Sequence, residues 1–463
     1  MLTAVNNEGD RRNPPAKDEA RATAPFGLGN AYGFAILNGL SSQIVLSSPI
    51  ILYGRQLGAS ATVLGILAGM MPLLVIFQMP AAQYVPRVGY KRFMMNGWSA
   101  RVLFIFVLAA IPLTAGFLDA NTRLTLVLAV LFFFNLLRGI SSCAWLPWIT
   151  ELVPSSLRGQ YLTREQFCVN FAGIGAFALA ASLLGDGGTE MRFALVFLFS
   201  AVVGAISLSF LKRVPDVTIP HAEATARGPV PWKELAAYPP FRRILWLNLA
   251  WAVAYGGLPT FIVAFLRSHA GLKDGAILWA MIAFFVGGTV STWVAGNRLD
   301  RLGSKPAVIL TLLLGIGLSV GWMLQSAGVV ETTRVRTTAL LGVLGLANAV
   351  FLAATNRLAM LTAPKVGRSH FFALFSVVLN LALGLAPVGW GLLIDAVGTR
   401  RGYAFGLEWN QYGAFFGLAA IGFGIALVAA GRLEEKAASV ESLLQELLLD
   451  DPKRALSRLF IRD

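Results

Sequence analysis

The chain has 463 residues, 56% of them hydrophobic and only 13% charged, with a mean hydropathy of +0.67. Soluble domains carry roughly 25% charged residues, so a soluble globular protein is excluded. The net charge of +14 does not mark a nucleic-acid binder, because the Lys and Arg punctuate apolar runs instead of forming one basic face. That is the pattern of cytoplasmic loops in a polytopic membrane protein.

Residues 1–24 are polar and mixed in charge, and are expected to be a disordered cytoplasmic tail. Twelve apolar stretches follow, each near the roughly 20 residues that a helix needs to cross a bilayer. They lie at 29–53, 61–85, 93–117, 124–148, 166–184 and 193–211, then at 244–266, 276–295, 307–325, 339–361, 371–394 and 412–430. Between the sixth and seventh, residues 212–243 contain Pro215, Pro220, Pro229, Pro231, Pro239 and Pro240 and read as a linker, with a short surface helix at 232–238. The expected organisation is therefore an all-α membrane protein with twelve spans in two six-helix bundles, 25–211 and 244–431. A cytoplasmic tail over 432–463 closes it, with Val440, Leu443, Leu444, Leu447 and Leu448 in a helical stripe. Lys and Arg favour one side of the short loops, placing both termini and the linker in the cytoplasm and the protein in an inner or plasma membrane.

The halves repeat one another. Arg87, Gly89 and Lys91 overlay Arg301, Gly303 and Lys305, and Pro154, Arg158 and Tyr161 overlay Pro364, Arg368 and Phe371 at nearly the same offset. Transporters are commonly built from such parallel halves. The stretch 296–305 is charged and contains two glycines, so it is expected to be a tight turn at the membrane surface, since exposed turn backbone finds no partners in lipid. Its order Gly296, Asp300, Arg301, Gly303, Lys305 resembles the signature loop of the major facilitator superfamily.

That resemblance implies a carrier whose two bundles rock about a central site, with a monomer as the transport unit. It also implies a latch in which Asp300 faces the positive N-terminal end of span five, near residues 164–167. The early copy has Pro86 where the later one has Asp300, so the latch is expected to be asymmetric. The plain alternative is that both loops only obey the positive-inside bias.

In this family spans one, four, seven and ten usually line the cavity. Their polar residues here are Asn38 and Ser42, then Asn135, Arg138 and Trp145, then Trp251 and Tyr255 beside Gly256, Gly257 and Pro259, and finally Asn348 and Thr355. Arg138 stands out, because a cation in hydrocarbon faces a partner or a wet cavity. It either binds an anionic or hydroxylated solute or is held by carbonyls or Asn135 as a packing element. Arg101 reads as structural or snorkelling, and Trp98, Trp322 and Trp409 as interfacial aromatics. Acidic residues, Glu165 included, fall at span ends, which removes the obvious proton relay.

No phosphate-binding loop, nucleophile elbow or zinc-protease motif is present, and Cys143, Cys168 and the three histidines lack metal-ligand spacing. Neither enzymatic chemistry nor a cofactor or metal has a foothold. The expected function is secondary transport of a small polar or anionic solute by alternating access. The rivals are a transporter-shaped sensor or scaffold and a proton-coupled exporter of small molecules.

Overall fold

The structure is a computed structural model that describes residues 28–153, 158–217, 238–362, 368–404 and 406–433. The side chains of 158–160, 162, 163, 292–302, 368–371, 373 and 404 lie outside the described set, as do the expected surface helix at 232–238 and the amphipathic stripe after 433.

Among the described residues, twelve helices are long and apolar enough to cross a membrane. Spans one to six are Leu28–Gln56, Ala61–Ala82, Tyr90–Gly116, Ala120–Leu152, Arg164–Leu184 and Glu190–Arg213. Spans seven to twelve are Pro239–Ser268, Asp274–Ser291, Ser304–Ser326, Arg334–Thr362, Leu374–Val397 and Gln411–Gly431. The helices carrying spans five, eight and eleven extend further, over Arg158–Leu184, Asp274–Leu302 and Arg368–Val397.

Side-chain caps start five of the six even spans on the face away from the termini. Ser60 Oγ accepts from Val63 N, Asp119 Oδ2 from Asn121 N and Thr122 N, Thr189 Oγ1 from Arg192 N, Thr333 Oγ1 from Arg336 N, and Asn410 Oδ1 from Tyr412 N and Gly413 N. Each satisfies an amide that the first helical turn leaves unpaired.

The expected ten-residue turn at 296–305 is corrected. The helix of span eight runs without a break to Leu302, and the turn shrinks to Gly303 before span nine begins at Ser304. An emerging helix satisfies its own backbone, so its charged end projects past the membrane surface without a loop. The first-half copy turns at a matching point. Gly89 has φ 89° and ψ 145°, and Gly303 has φ 84° and ψ 166°, a backbone region that is essentially glycine's alone.

Spans one and seven also break alike. Span one interrupts at Ser47 and restarts as Ser48–Gln56 with Pro49 in its first turn, and span seven interrupts at Gly257 and restarts as Leu258–Ser268 with Pro259 in its first turn. Proline suits a first turn, where no amide donor is needed.

Packing follows the repeat. Span one lies against five and six, and span three against four and six, while seven lies against eleven and twelve and nine against ten and twelve. Between the halves, span two packs on eleven and span five on eight. Glycines bring the first pair close: a Cβ on Gly65 would sit 2.2 Å from the Pro387 carbonyl oxygen, and one on Gly69 2.2 Å from that of Gly384. Small residues at such spacing let helix backbones approach in lipid.

At the face opposite the termini, polar contacts tie the halves together. Arg267 Nη1 donates to Leu52 O at 2.7 Å, Arg55 Nε donates to Ser268 Oγ at 3.0 Å, and Lys273 pairs with Asp186 at 2.9 Å. A two-stranded hairpin, β1 (Gly402–Ala404) and β2 (Leu407–Trp409), joins spans eleven and twelve on this face.

Candidate functional site

A cavity of about 380 Å³ opens among spans one to five. Its lining follows helical spacing on each element: Phe34, Asn38 and Ser42 from span one, Met94, Trp98 and Arg101 from span three, Arg138, Ser142 and Trp145 from span four, and Glu165 and Val169 from span five. Residues three and four apart share one helix face, so each set presents a stripe inward.

The polar groups divide into two arrangements. Arg101, only 1% exposed, donates to Asn38 Oδ1, and its guanidinium lies 4.4 Å from the Trp98 ring centroid and 5.2 Å from that of Phe134. Trp98 Nε1 also donates to Asn38, at 3.3 Å. Stacking on aromatic faces offsets part of the desolvation of a buried cation. In the second, Trp145 Nε1 donates to Glu165 Oε1 at 3.0 Å. Among the described residues, Arg138 engages in no hydrogen bond or ion pair.

Of the residues expected from the sequence, Asn38, Ser42, Arg138 and Trp145 are brought together here. The others lie elsewhere. Asn135 is buried and donates to Leu131 O at 2.9 Å within its own helix. Trp251 stacks on Tyr255, with centroids 4.8 Å apart, and on Phe351 at 4.5 Å, while Thr355 Oγ1 donates to Phe351 O at 2.9 Å. The second-half candidates thus gather around an aromatic stack between spans seven and ten. The buried Asn348 Oδ1 has no partner among the described residues.

Asn348 matches Arg138 in depth only when counted from the ends nearest the termini, because span four has 33 residues and span ten 29. The turn at Cys143 and Ala144, which interrupts span four before a last helix from Trp145, has no counterpart in span ten.

Two readings are corrected. Arg101 does not snorkel; it is buried at the cavity with its Nε unpartnered. Trp98 lines the cavity, and Trp322 is buried to 1% exposure in the core of the second half. Glu165, the second residue of span five, falls at a span end as expected and lines the cavity from there.

Among the expected gating residues, Arg87 sits in the one-turn helix Val85–Val88, and Lys91 in the first turn of span three. Lys305 Nζ donates to Gly431 O at 3.0 Å and to Leu433 O at 2.8 Å, tying the start of span nine to the end of span twelve. Gly296, Asp300 and Arg301 lie on the extended helix of span eight, and Arg158 and Arg368 begin the helices of spans five and eleven. The side chains of these charged residues are outside the described set, so the Asp300 latch lies outside it too.

A second cavity, of about 460 Å³, is lined by Tyr32, Arg164, Phe167 and Cys168 toward the terminal face. Among the described residues no group of His, Cys, Asp and Glu is placed to hold a metal ion.

Twelve spans in two matching sets of six, closely packed across one seam and holding a polar cavity in the membrane, define a secondary transporter. The chain belongs to the major facilitator superfamily, whose family model matches residues 31–387. Solved structures share the fold at low identity. A single-residue mutant of the nucleoside transporter NupG is 14% identical, covering 88% of this chain and 100% of its own, with a TM-score of 0.67. A bacterial homologue of the iron transporter ferroportin in an inward-facing state is 12% identical, covering 88% and 98%, at 0.63. A bacterial homologue of the human lysosomal transporter Spinster, inward-facing and unoccupied, is 13% identical, covering 88% and 93%, at 0.58. No curated protein matches the sequence.

Proposed function

We propose that this transporter moves a small organic anion by alternating access, with residues 25–211 and 244–431 as the moving halves and 212–243 as their cytoplasmic connection. The observation that carries the reading is the pair Arg101 and Arg138 in one membrane cavity, with Arg138 engaged by no protein acceptor among the described residues. An unpaired cation at that depth is stabilised by a counter-ion or by water, and an anionic solute supplies the first. The polar ties at the opposite face and the cavity toward the terminal face support a state open to the termini. With the termini in the cytoplasm, as the charge bias has it, that state is inward-facing.

The test is a thermal-shift panel of organic acids, phosphate esters, sugars and cationic drugs against wild type and Arg138→Gln, since a ligand of the folded state raises apparent stability. Acids that stabilise wild type but not Arg138→Gln support the proposal. A sugar that stabilises both, with no acid doing so, contradicts it and leaves Arg138 a packing element.

A further inference from the structure

Resting on the anion reading above, we infer that the solute carries one negative charge, at one end of an apolar, ring-sized body. Among the described residues, three charged side chains line the cavity: Arg101, Arg138 and Glu165. Arg101 is fixed by Trp98, Phe134 and Asn38 and keeps an unpartnered Nε. Arg138 lies near enough to repel it. The acid in the same lining is Glu165, which accepts from the Trp145 indole.

With Glu165 ionised, the described lining therefore sums to a net charge of +1. In a low-dielectric site the smallest desolvation cost attaches to the occupant that brings the total to zero. A monoanion does so, a dianion leaves the loaded cavity negative, and a neutral solute leaves the positive charge uncompensated. Arg164 lines the neighbouring cavity with Tyr32, Phe167 and Cys168 and stands outside this count.

The rest of the lining sets the body. Phe34 lies between two indoles, with ring centroids 6.4 Å from Trp98 and 5.3 Å from Trp145, and Met71 and Met94 extend the wall. Such a wall accepts a ring face or an apolar skeleton. A carboxylate directed at the arginine pair leaves that body against the wall.

The experiment is isothermal titration of the purified full-length protein at neutral pH with three probes of like shape: 4-hydroxybenzoate, 4-hydroxyphthalate and 4-hydroxybenzamide, carrying one, two and no charges. Wild type is expected to bind the monoanion about tenfold or more tighter than either of the others. Glu165→Gln, which makes the lining doubly positive, is expected to shift the preference to the dianion, and Glu165→Asp to keep the wild-type order. If Glu165→Gln yields no folded protein, the wild-type order and that of Glu165→Asp decide. A dianion that binds wild type tightest, and loses affinity in Arg138→Gln, overturns the single charge while leaving the anion reading intact. Equal binding of all three probes overturns the inference, and so does binding of none where an acid from the thermal-shift panel still binds.

Discussion

Asp395, near the end of span eleven, accepts the backbone amides of Ala61 at 2.9 Å and of Thr62 at 2.8 Å, together with the Thr62 hydroxyl at 2.6 Å. A carboxylate from one half thus caps the first helical turn of the other, where the helix presents unpaired amides and the positive end of its dipole. On the proposed rocking of the halves, opening of the face opposite the termini breaks this contact. Asp395→Asn keeps the shape and removes the charge. The charge–dipole interaction that Asn removes is worth about 0.3–1 kcal/mol, so the ratio of the two open states is expected to move by about 2- to 5-fold toward opening on this face. Distances between spin labels placed across the seam read the shift, and an unchanged distribution sinks the assignment.

Spans two and eleven meet where Gly65 and Gly69 face carbonyl oxygens of the other half. A methyl group on either must push the backbones apart, and overpacking of this kind typically costs about 1–3 kcal/mol. Gly65→Ala and Gly69→Ala are each expected to lower the unfolding temperature. Gly29→Ala, whose added Cβ would meet nothing within 4 Å, serves as the control. Equal thermal stability of all three variants would show the seam to be looser than described.

Gly89 and Gly303 occupy the same positive-φ, extended conformation at corresponding points of the two halves. An alanine there carries strain of about 1–3 kcal/mol. Gly89→Ala and Gly303→Ala are expected to destabilise by similar amounts, measured by thermal or denaturant unfolding in detergent. A marked difference between them would mean that the neighbouring charges, and not the backbone, decide at these turns.

Trp145→Phe leaves an aromatic ring in place but removes the N–H that Glu165 accepts at 3.0 Å. A fully buried acceptor left without its donor costs about 1–3 kcal/mol, and the half-buried Glu165 loses less than that. Ligand affinity is therefore expected to fall or to change in charge preference, while Trp322→Phe, buried in the other half, leaves affinity unchanged. Titration of both variants with one acid separates the outcomes.

Twelve spans were legible because the apolar runs are long and the breaks between them polar, and the repeat was legible because Gly89 and Gly303 are required by their backbone conformation. The paired interruptions of spans one and seven were half visible, in Pro49 and Pro259. The turn at 296–305 misled because charge marks the membrane surface but does not say whether the chain there is loop or helix. Nothing in the sequence alone places span three or the start of span five against the cavity, which hid the part of Arg101, Trp98 and Glu165 in its lining. Yet Trp98 and Arg101 are three apart, and Glu165 and Val169 four apart, the same helical spacing that relates the candidates of span four. What the sequence did not carry is which helix faces which, and so it could not tell that the second-half candidates close on an aromatic stack around Trp251.

The central claim, that an anion crosses the membrane by way of Arg138, is tested most directly by counterflow in proteoliposomes. Liposomes loaded with an acid that stabilises the protein are diluted into a trace of the same labelled acid. Wild type is expected to accumulate label, and Arg138→Gln, confirmed folded by its unfolding transition, to lose about tenfold or more of the initial rate, as for removal of a buried charge partner. Label accumulating equally through both proteins would contradict the account, as would an acid that binds wild type yet never crosses.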